Sequence, residues 1–202
     1  MQQKLMQKMT QLTHIKDDYV PMLINKGGVG VIPTDTLYGL VGSAFSIKAV
    51  ERIYDLKNRN EKKSLIILIS SIEDLKKFGV EVTEKAKIFM KKFWPGKMSI
   101  VLPFNNKKLD YLDRMDGTLA FRFPDKKDLI ELLEKTGALV APSANPEGKE
   151  PAKNLEEVMK YFDNKVDFFV DGGEINSAPS TLVKIVGDKI EILREGAVKI
   201  VL

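Results

Sequence analysis

The sequence contains no cysteine and a single histidine, His14, among its 202 residues. The absence of cysteine excludes disulfides, thiolate nucleophiles, iron–sulfur clusters and cysteine-based metal sites. A single histidine excludes a histidine-rich zinc site and argues against a Ser-His-Asp triad. Any catalysis must therefore use lysine, arginine, carboxylates, hydroxyl groups and the backbone.

Arginine is also scarce. The chain has 32 basic and 28 acidic residues, a net charge of +4, and its only arginines are Arg52, Arg59, Arg114, Arg122 and Arg194. A guanidinium group binds a carboxylate or phosphate through two parallel hydrogen bonds, which lysine cannot do. The positions of these five side chains are therefore informative, whereas a net charge of +4 fits nucleotide or RNA partners and solvated lysines equally well.

Long apolar runs are missing too. No segment reaches the run of about 20 apolar residues that spans a bilayer, and residues 1–13 are polar, without the apolar region of a secretory signal. We therefore expect a cytoplasmic protein that contacts no membrane. At about 150 residues per domain the length fits one domain, with residues 1–14 as an N-terminal arm and residues 15–202 as the domain.

Hydrophobic periodicity predicts an alternation of helices and short apolar strands. The predicted helices cover 15–26, 47–56, 72–78, 83–93, 126–135 and 155–162, and the predicted strands cover 29–33, 65–69, 99–103, 119–123, 138–141, 166–170, 181–186 and 190–193. Segment 65–69 contains only leucine and isoleucine, which is typical of a strand buried on both faces. The pattern predicts a mixed α/β domain around a largely buried sheet.

Four loops of this predicted fold carry polar side chains that could bind a ligand. They are segments 33–40 (PTDTLYGL), 57–64 (KNRNEKKS) and 141–146 (APSANP), and segment 179–181 (PST) with Arg194 near the end of the chain. The first three have simpler structural alternatives, namely an Asx or ST turn, a solvated helix end and a plain proline turn. The sequence has neither a P-loop nor a G-x-G-x-x-G motif after a strand.

Taken together and in this order, the loops resemble the YrdC/TsaC-type threonylcarbamoyl-AMP synthases in their short, single-domain form. The matching segments are 33–40, 57–59, 63–65, 94–96, 120–125, 141–145, 171–173, 179–181 and 193–197. They span about residues 15 to 200, so the resemblance covers nearly the whole chain.

The resemblance implies a single-domain YrdC-like fold, a twisted mixed sheet flanked by helices around a deep basic cavity. It implies a nucleotidyltransferase that condenses L-threonine, bicarbonate and ATP to threonylcarbamoyl-AMP and releases pyrophosphate. Mg²⁺ is expected with ATP, and no protein-bound metal or organic cofactor is expected. A separate transferase machinery would then modify tRNA, and tRNA or double-stranded RNA is a further candidate partner.

The resemblance also implies roles for individual residues. Its hallmark Lys-x-Arg and Ser-x-Asn give the catalytic set Lys57, Arg59, Ser143 and Asn145. The residues implied near ATP are Arg59, Lys63, Thr118, Ser143 and Arg194, and those implied near threonine are Thr36, Arg122, Ala141 and Ser180. Chemistry supports these assignments, because three substrates that each carry a negatively charged group require a strongly cationic site, and three of the five arginines lie in these motifs.

The chain departs from the family pattern at the rim of the expected pocket. Asn60 stands where proline is common after the Lys-x-Arg, Lys97 follows the Trp-Pro-Gly segment in place of proline, and Glu147 replaces a small serine. Leu68 stands where some members have histidine. The alternative hypothesis is a YrdC-like RNA-binding or ribosome-associated protein without adenylate synthesis; the presence of all four hallmark residues favours the enzyme.

Overall fold

A mixed sheet of ten strands runs through the part of the chain that this computed structural model describes, residues 11–60, 63–113, 117–187 and 189–200. Its strands are β1 (Gln11–Thr13), β2 (Gly30–Pro33), β3 (Tyr38–Ser43), β4 (Ile66–Leu68), β5 (Met98–Pro103), β6 (Thr118–Arg122), β7 (Leu139–Val140), β8 (Phe168–Val170), β9 (Thr181–Val186) and β10 (Lys189–Arg194). Their order across the sheet is β1-β8-β2-β3-β7-β4-β6-β5-β9-β10. Four neighbouring pairs are parallel (β1–β8, β2–β8, β4–β6 and β5–β9) and the other five are antiparallel.

Helices connect these strands. The described α-helices are α1 (Tyr19–Asn25), α2 (Ile47–Lys57), α3 (Glu84–Phe93), α4 (Lys127–Thr136) and α5 (Leu155–Phe162), and shorter 3-10 helices cover Ile72–Phe78, Lys107–Leu112 and Asp163–Lys165. Ser46, Thr83 and Asn154 each accept a hydrogen bond from the backbone N–H three residues further on. These caps fix the starts of α2, α3 and α5, because the first N–H groups of a helix have no partner within it.

Both faces of the sheet are covered. Val31 and Val140 point into a core cluster that includes side chains of α2, α3 and α5, whereas Ile32 and Leu139 point into a second cluster with α1 and α4. This alternation follows from the two-residue period of a strand. The arrangement confirms the predicted mixed α/β fold with helices flanking a buried sheet.

Two strands are absent from the sequence-based prediction: β1, which lies in the expected N-terminal arm, and β3, where the prediction has only a polar turn after residue 33. Residues Tyr38–Ser43 form β3, which pairs antiparallel with β2. Its glycines weaken the strand signal in the sequence, yet they are needed for packing. A Cβ atom on Gly42 would lie 3.0 Å from the Ala49 Cβ, so the glycine lets α2 approach the strand.

The predicted first helix is wrong at its start. Periodicity predicts a helix over 15–26, but α1 begins at Tyr19. The Asp17 carboxylate accepts hydrogen bonds from the Tyr19 N–H (3.0 Å) and the Thr13 hydroxyl (2.8 Å). Such local side-chain bonds stabilise a turn in competition with the helix.

The expected N-terminal arm is described only at its end. Residues 1–10 lie outside the described residues, and Gln11–Thr13 pair in parallel with β8 as β1. Among the described residues, no helix combines the length and the apolar character required to cross a membrane.

The burial of the central strand β4 predicts how a substitution there changes the free energy of unfolding. Leu68 is completely buried, whereas Ile88 on α3 is 69% exposed. Leu68→Ala should lower the free energy of unfolding by about 2–5 kcal/mol, because it leaves a cavity that the sheet cannot close. The matched control Ile88→Ala should change it by less than about 0.5 kcal/mol. Urea denaturation of both variants measures this, and equal effects would contradict the assigned burial.

Candidate active site

A cavity of about 210 Å³ lies against the sheet face that α1 and α4 partly cover. Its wall comes from the turn between β2 and β3, the loop after β7, the segment before β9 and the ends of β6 and β10. The lining residues are Thr34, Thr36, Leu37, Tyr38, Gly39, Ile66, Arg122, Ala141, Ser143, Pro151, Pro179, Ser180 and Arg194. All four residues predicted near threonine line this cavity, together with two of those predicted near ATP, Ser143 and Arg194.

The turn between β2 and β3 is organised by Thr34. Its hydroxyl accepts hydrogen bonds from the backbone N–H groups of Thr36 (3.1 Å) and Leu37 (3.2 Å) and donates to the Leu37 carbonyl (2.7 Å). The ST turn considered for this segment is therefore present. The same turn directs Thr36 toward the cavity, so its structural role and its place in the site are compatible.

Arg122 is the most buried cation of the cavity wall, with 3% of its surface exposed. Its Nη1 donates to the Thr36 hydroxyl (2.6 Å) and its Nη2 to the Thr34 hydroxyl (3.3 Å). Nη2 also lies 3.2 Å from the Asp35 carboxylate, which is equally buried. Among the described residues, the Arg122 Nε and both Asp35 oxygens have no hydrogen-bond partner. A buried charge pair with unused hydrogen-bonding capacity is costly unless a ligand completes it.

The three arginines of the predicted motifs share one electrostatic field. Burial lowers the pKa of Arg122; Asp35 opposes this effect and Arg194 adds to it. Burial also lowers the pKa of Arg194, and Arg59 lowers it further. These mutual effects mean that the guanidinium groups repel one another across the site, so an anion placed between them would relieve the repulsion.

Ser180 and Arg194 form the opposite side of the cavity. Arg194 Nη2 donates to the Ser180 carbonyl (2.8 Å), and the Ser180 and Ser99 hydroxyls are 2.8 Å apart. Because Ser180 directly precedes β9 and Arg194 ends the paired β10, the antiparallel hairpin brings them together. This contact keeps the guanidinium group at the cavity rather than in solvent.

Lys57 lies behind the cavity wall and holds the loop after β7. Its Nζ donates to the Ser143 carbonyl (2.6 Å), the Asn145 carbonyl (2.5 Å) and the Asn145 Oδ1 (3.4 Å). Asn145 in turn donates to the Lys149 carbonyl (2.7 Å). Neither Lys57 nor Asn145 lines the cavity, and of these three only Ser143 does. Three of the four hallmark residues, Lys57, Ser143 and Asn145, are thus brought together, with the lysine and the asparagine supporting the loop.

Arg59 and Lys63 flank the cavity without lining it. Asn58 ends α2 in the left-handed conformation (φ 47°). The chain therefore changes direction there, and Arg59 does not continue along the helix axis. Arg59 donates to the carbonyls of Lys63 and Ser64, both at 3.1 Å. Lys63 forms an ion pair with Glu147. Residues 61 and 62 of this segment lie outside the described residues, as does Arg114.

Thr118, predicted near ATP, does not line the cavity. It starts β6 and Arg122 ends it. Residues four apart on a strand share one face, and the rise of a strand separates the two positions by about 13 Å. A ligand in the cavity reaches Thr118 only if it extends along this face of the sheet.

The expected deep basic cavity is not confirmed. The volume of about 210 Å³ is below the roughly 300–1,000 Å³ of most ligand pockets. It accommodates a molecule of amino-acid size, whereas a nucleoside triphosphate would extend beyond it. Its charged lining residues are Arg122 and Arg194, and Asp35 offsets the first of these.

Sequence reasoning missed Tyr38 as a wall residue. Its hydroxyl donates to the Gly173 carbonyl (2.8 Å) and accepts from the Gly172 N–H (2.8 Å). A Cβ atom on Gly172 would lie 2.2 Å from the Pro33 Cβ, so only glycine fits there. The co-occurrence of segments 33–40 and 171–173 among the motifs was the available signal, but it does not reveal that they touch.

The fold and this arrangement define a mixed α/β protein with an arginine-lined pocket for a small ligand on one sheet face. A family model named Sua5_yciO_yrdC and described as telomere recombination matches residues 22–196. The chain belongs to this Sua5/YciO/YrdC family.

Individual relatives agree with this assignment. The chain is 33% identical over 175 residues to a threonylcarbamoyl-AMP synthase of Pyrococcus abyssi, covering 86% of this chain and 52% of that protein. It is 33% identical over 184 residues to a putative threonylcarbamoyl-AMP synthase of Methanocaldococcus jannaschii, covering 91% of this chain and 86% of that protein. The crystal structure of P. abyssi Sua5 complexed with L-threonine superposes with a TM-score of 0.83 at 30% identity, covering 93% of this chain and 57% of that one. The chain therefore spans about half the length of the P. abyssi relative.

The titration of the buried Lys57 side chain predicts how stability depends on pH. Burial lowers its pKa to about 7, Arg59 contributes to this lowering, and Glu147 opposes it. Between pH 7 and 10.5 the unfolded chain then holds a proton that the folded chain has lost, so stability rises with pH. Relative to Lys57→Met, the free energy of unfolding of the native chain should increase by about 2 kcal/mol from pH 7.5 to pH 9.0.

The measurement is urea denaturation of both proteins at the two pH values. Titrations elsewhere in the chain cancel in the comparison because they are common to both proteins. A difference that stays constant or falls would show that the three oxygen acceptors keep Lys57 protonated in the folded chain.

Proposed function

We propose that this chain is a threonylcarbamoyl-AMP synthase, a nucleotidyltransferase that joins L-threonine, bicarbonate and ATP and releases pyrophosphate. The observation that carries the proposal is the buried fork of Arg122, held by two threonine hydroxyls at the wall of a cavity of amino-acid size. The relatives named threonylcarbamoyl-AMP synthase support it. No observation on the described residues favours an RNA-binding protein without adenylate synthesis.

Threonine would bind inside the cavity. The Arg122 guanidinium would hold its carboxylate, since a planar fork matches two carboxylate oxygens. Thr36 and Ser180 offer hydroxyl groups to its polar atoms. The Ala141 N–H already donates to the Ile66 carbonyl (2.8 Å), so the backbone group that Ala141 offers is its carbonyl, an acceptor suited to an amine or hydroxyl donor.

ATP, as its Mg²⁺ complex, would lie at the cavity mouth and extend along the sheet face toward Thr118. Arg59, Lys63, Ser143 and Arg194 would contact its phosphates. Mg²⁺ keeps several waters and binds chiefly to substrate phosphates in such sites, so it needs no cage of protein ligands. Among the described residues, no group of three or more histidine, aspartate or glutamate side chains is arranged to hold a metal ion.

The chemistry needs orientation and charge more than proton transfer by histidine. The threonine amine would attack bicarbonate, a C–N bond would form, and water would leave to give the carbamate. A carbamate oxygen would then attack the α-phosphorus of ATP, a P–O bond would form, and the bond to the β-phosphate oxygen would break to release pyrophosphate. The arginines would offset the charge that accumulates at phosphorus, and the loop that Lys57 supports would fix the reactants in position.

The product would be consumed by a separate transferase machinery that modifies tRNA. Since tRNA and ATP are both cytoplasmic substrates of such a pathway, we propose a cytoplasmic site of action.

The proposal is tested by incubating the protein with Mg·ATP, bicarbonate and labelled threonine. Threonylcarbamoyl-AMP and an equal amount of pyrophosphate should form, and omission of threonine or bicarbonate should stop pyrophosphate release. Pyrophosphate release that does not depend on threonine, or no labelled product, would refute the proposed reaction.

The role of Arg122 has a separate test in Arg122→Lys, which keeps the charge beside Asp35 but removes the fork. The KM for threonine should rise about 10- to 100-fold, the worth of a charge-assisted hydrogen bond, while the KM for ATP stays within about twofold. Circular dichroism would verify the fold. An unchanged KM for threonine would exclude Arg122 as the carboxylate partner.

A further inference from the structure

Glu147 joins the two loops that carry the hallmark residues. Its backbone N–H donates to the Lys57 carbonyl (2.7 Å), and its Oε2 accepts a hydrogen bond from the Asn60 N–H (2.6 Å). Its Oε1 forms an ion pair with the Lys63 ammonium. One acidic residue therefore ties the loop after β7 to the end of α2 and to the segment that follows it.

This attachment differs from a fully exposed ion pair such as Lys160–Glu156. The Lys160–Glu156 pair connects two side chains on one helix that are 66% and 80% exposed, and such pairs contribute little. Glu147 is 28% exposed and is fixed through both its backbone and its carboxylate. Hydrogen bonds from Lys63 and Asn60 lower the pKa of Glu147 despite an opposing effect of desolvation, so the carboxylate is ionised at neutral pH.

The contact with Asn60 follows from two residues that occur together. A proline at position 60 would have no N–H to donate. Asparagine brings a backbone donor to this position, and the Glu147 carboxylate satisfies it. The second carboxylate oxygen is then directed to Lys63. The contact of Glu147 with Asn60 therefore also places a negative charge next to a lysine ammonium beside the cavity.

This charge matters for the nucleotide. Lys63 is one of the cations that the proposed function assigns to the phosphates, and its ammonium is engaged by a carboxylate. A phosphate that approaches Lys63 meets the negative charge of Glu147 at short range, and like charges at one site repel. The phosphate must therefore displace Glu147 from Lys63 or share the ammonium at a cost.

We propose that Glu147 sets the affinity of the enzyme for ATP: its carboxylate occupies Lys63 as an internal substitute for phosphate, and its hydrogen bond to Asn60 holds the loop in place. Glu147 is thus a positioning residue whose charge opposes the nucleotide. The inference rests on the proposed function, because it requires that phosphates bind at Lys63.

Glu147→Gln separates the two roles. The glutamine carbonyl still accepts the hydrogen bond from Asn60, but the negative charge beside the Lys63 ammonium is gone. The KM and Kd for Mg·ATP should fall about two- to fivefold, the worth of a partly exposed ion pair, with kcat and the KM for threonine unchanged. Glu147→Ala removes the hydrogen bond as well, so kcat should fall as the loop loosens.

Lys63→Met provides the second arm. In this background Glu147→Gln should change the affinity for ATP by less than the variation between replicates, because the ammonium group that Glu147 and phosphate compete for is absent. The matched control Glu156→Gln breaks the Lys160 pair and should leave every constant unchanged. A raised or unchanged KM for ATP in Glu147→Gln, or the same gain with and without Lys63, would overturn the inference.

Calorimetry of Mg·ATP binding without threonine and bicarbonate distinguishes this inference from the proposed reaction. A chain that binds ATP more tightly as Glu147→Gln yet forms no threonylcarbamoyl-AMP would support the role of Glu147 and refute the reaction. Product formation with unaltered ATP affinity in Glu147→Gln would do the opposite. No measurable ATP binding by either protein would refute the inference.

Discussion

The hydrogen bonds of the buried Lys57 side chain are the interactions on which the site depends. The side chain leaves the last turn of α2 and ends on three oxygen atoms of Ser143 and Asn145. A buried lysine is tolerated only where its polar N–H groups have hydrogen-bond partners such as these. Removal of Lys57 would take a hydrogen-bond donor from the Ser143 and Asn145 carbonyls. The loop that presents Ser143 to the cavity and the end of α2 that directs Arg59 are therefore fixed by the same group.

The cations around the cavity are each held by a group of the protein itself. Asp35 pairs with Arg122, Glu147 pairs with Lys63, and carbonyls receive Lys57 and Arg194. These partners reduce the repulsion among the guanidinium and ammonium groups in the absence of a ligand. They also set the cost of ligand binding, because an incoming anion gains only the difference between its own contacts and those that it replaces.

The sequence was sufficient for the elements with strong patterns and for the motifs, but not for the roles within them. Segment 65–69 and the helices predicted over 47–56 and 83–93 are clear in the chain. Strand β3 was hidden by Gly39 and Gly42, which allow close packing against neighbouring residues. Motif matching grouped Lys57 with Arg59 as equals. Lys57 supports the loop after β7 while Arg59 turns away from the helix, and this difference is decided by the left-handed turn at Asn58 and by contacts with residues 86 to 88 positions away in the chain. No local pattern records such contacts.

The placement of the few arginines and the absence of cysteine both fit the proposed reaction. The proposed reaction joins an amine, bicarbonate and a triphosphate, so it would bring negative charges together and would need no thiol or imidazole to transfer protons. Under the proposed function, a planar guanidinium group suits Arg122, which would orient its ligand, and a flexible lysine suffices at Lys63, where a phosphate would exchange with the Glu147 carboxylate. If the proposed ligands bind there, the use of arginine at the buried wall and lysine at the exposed rim follows from how firmly each position would fix its ligand.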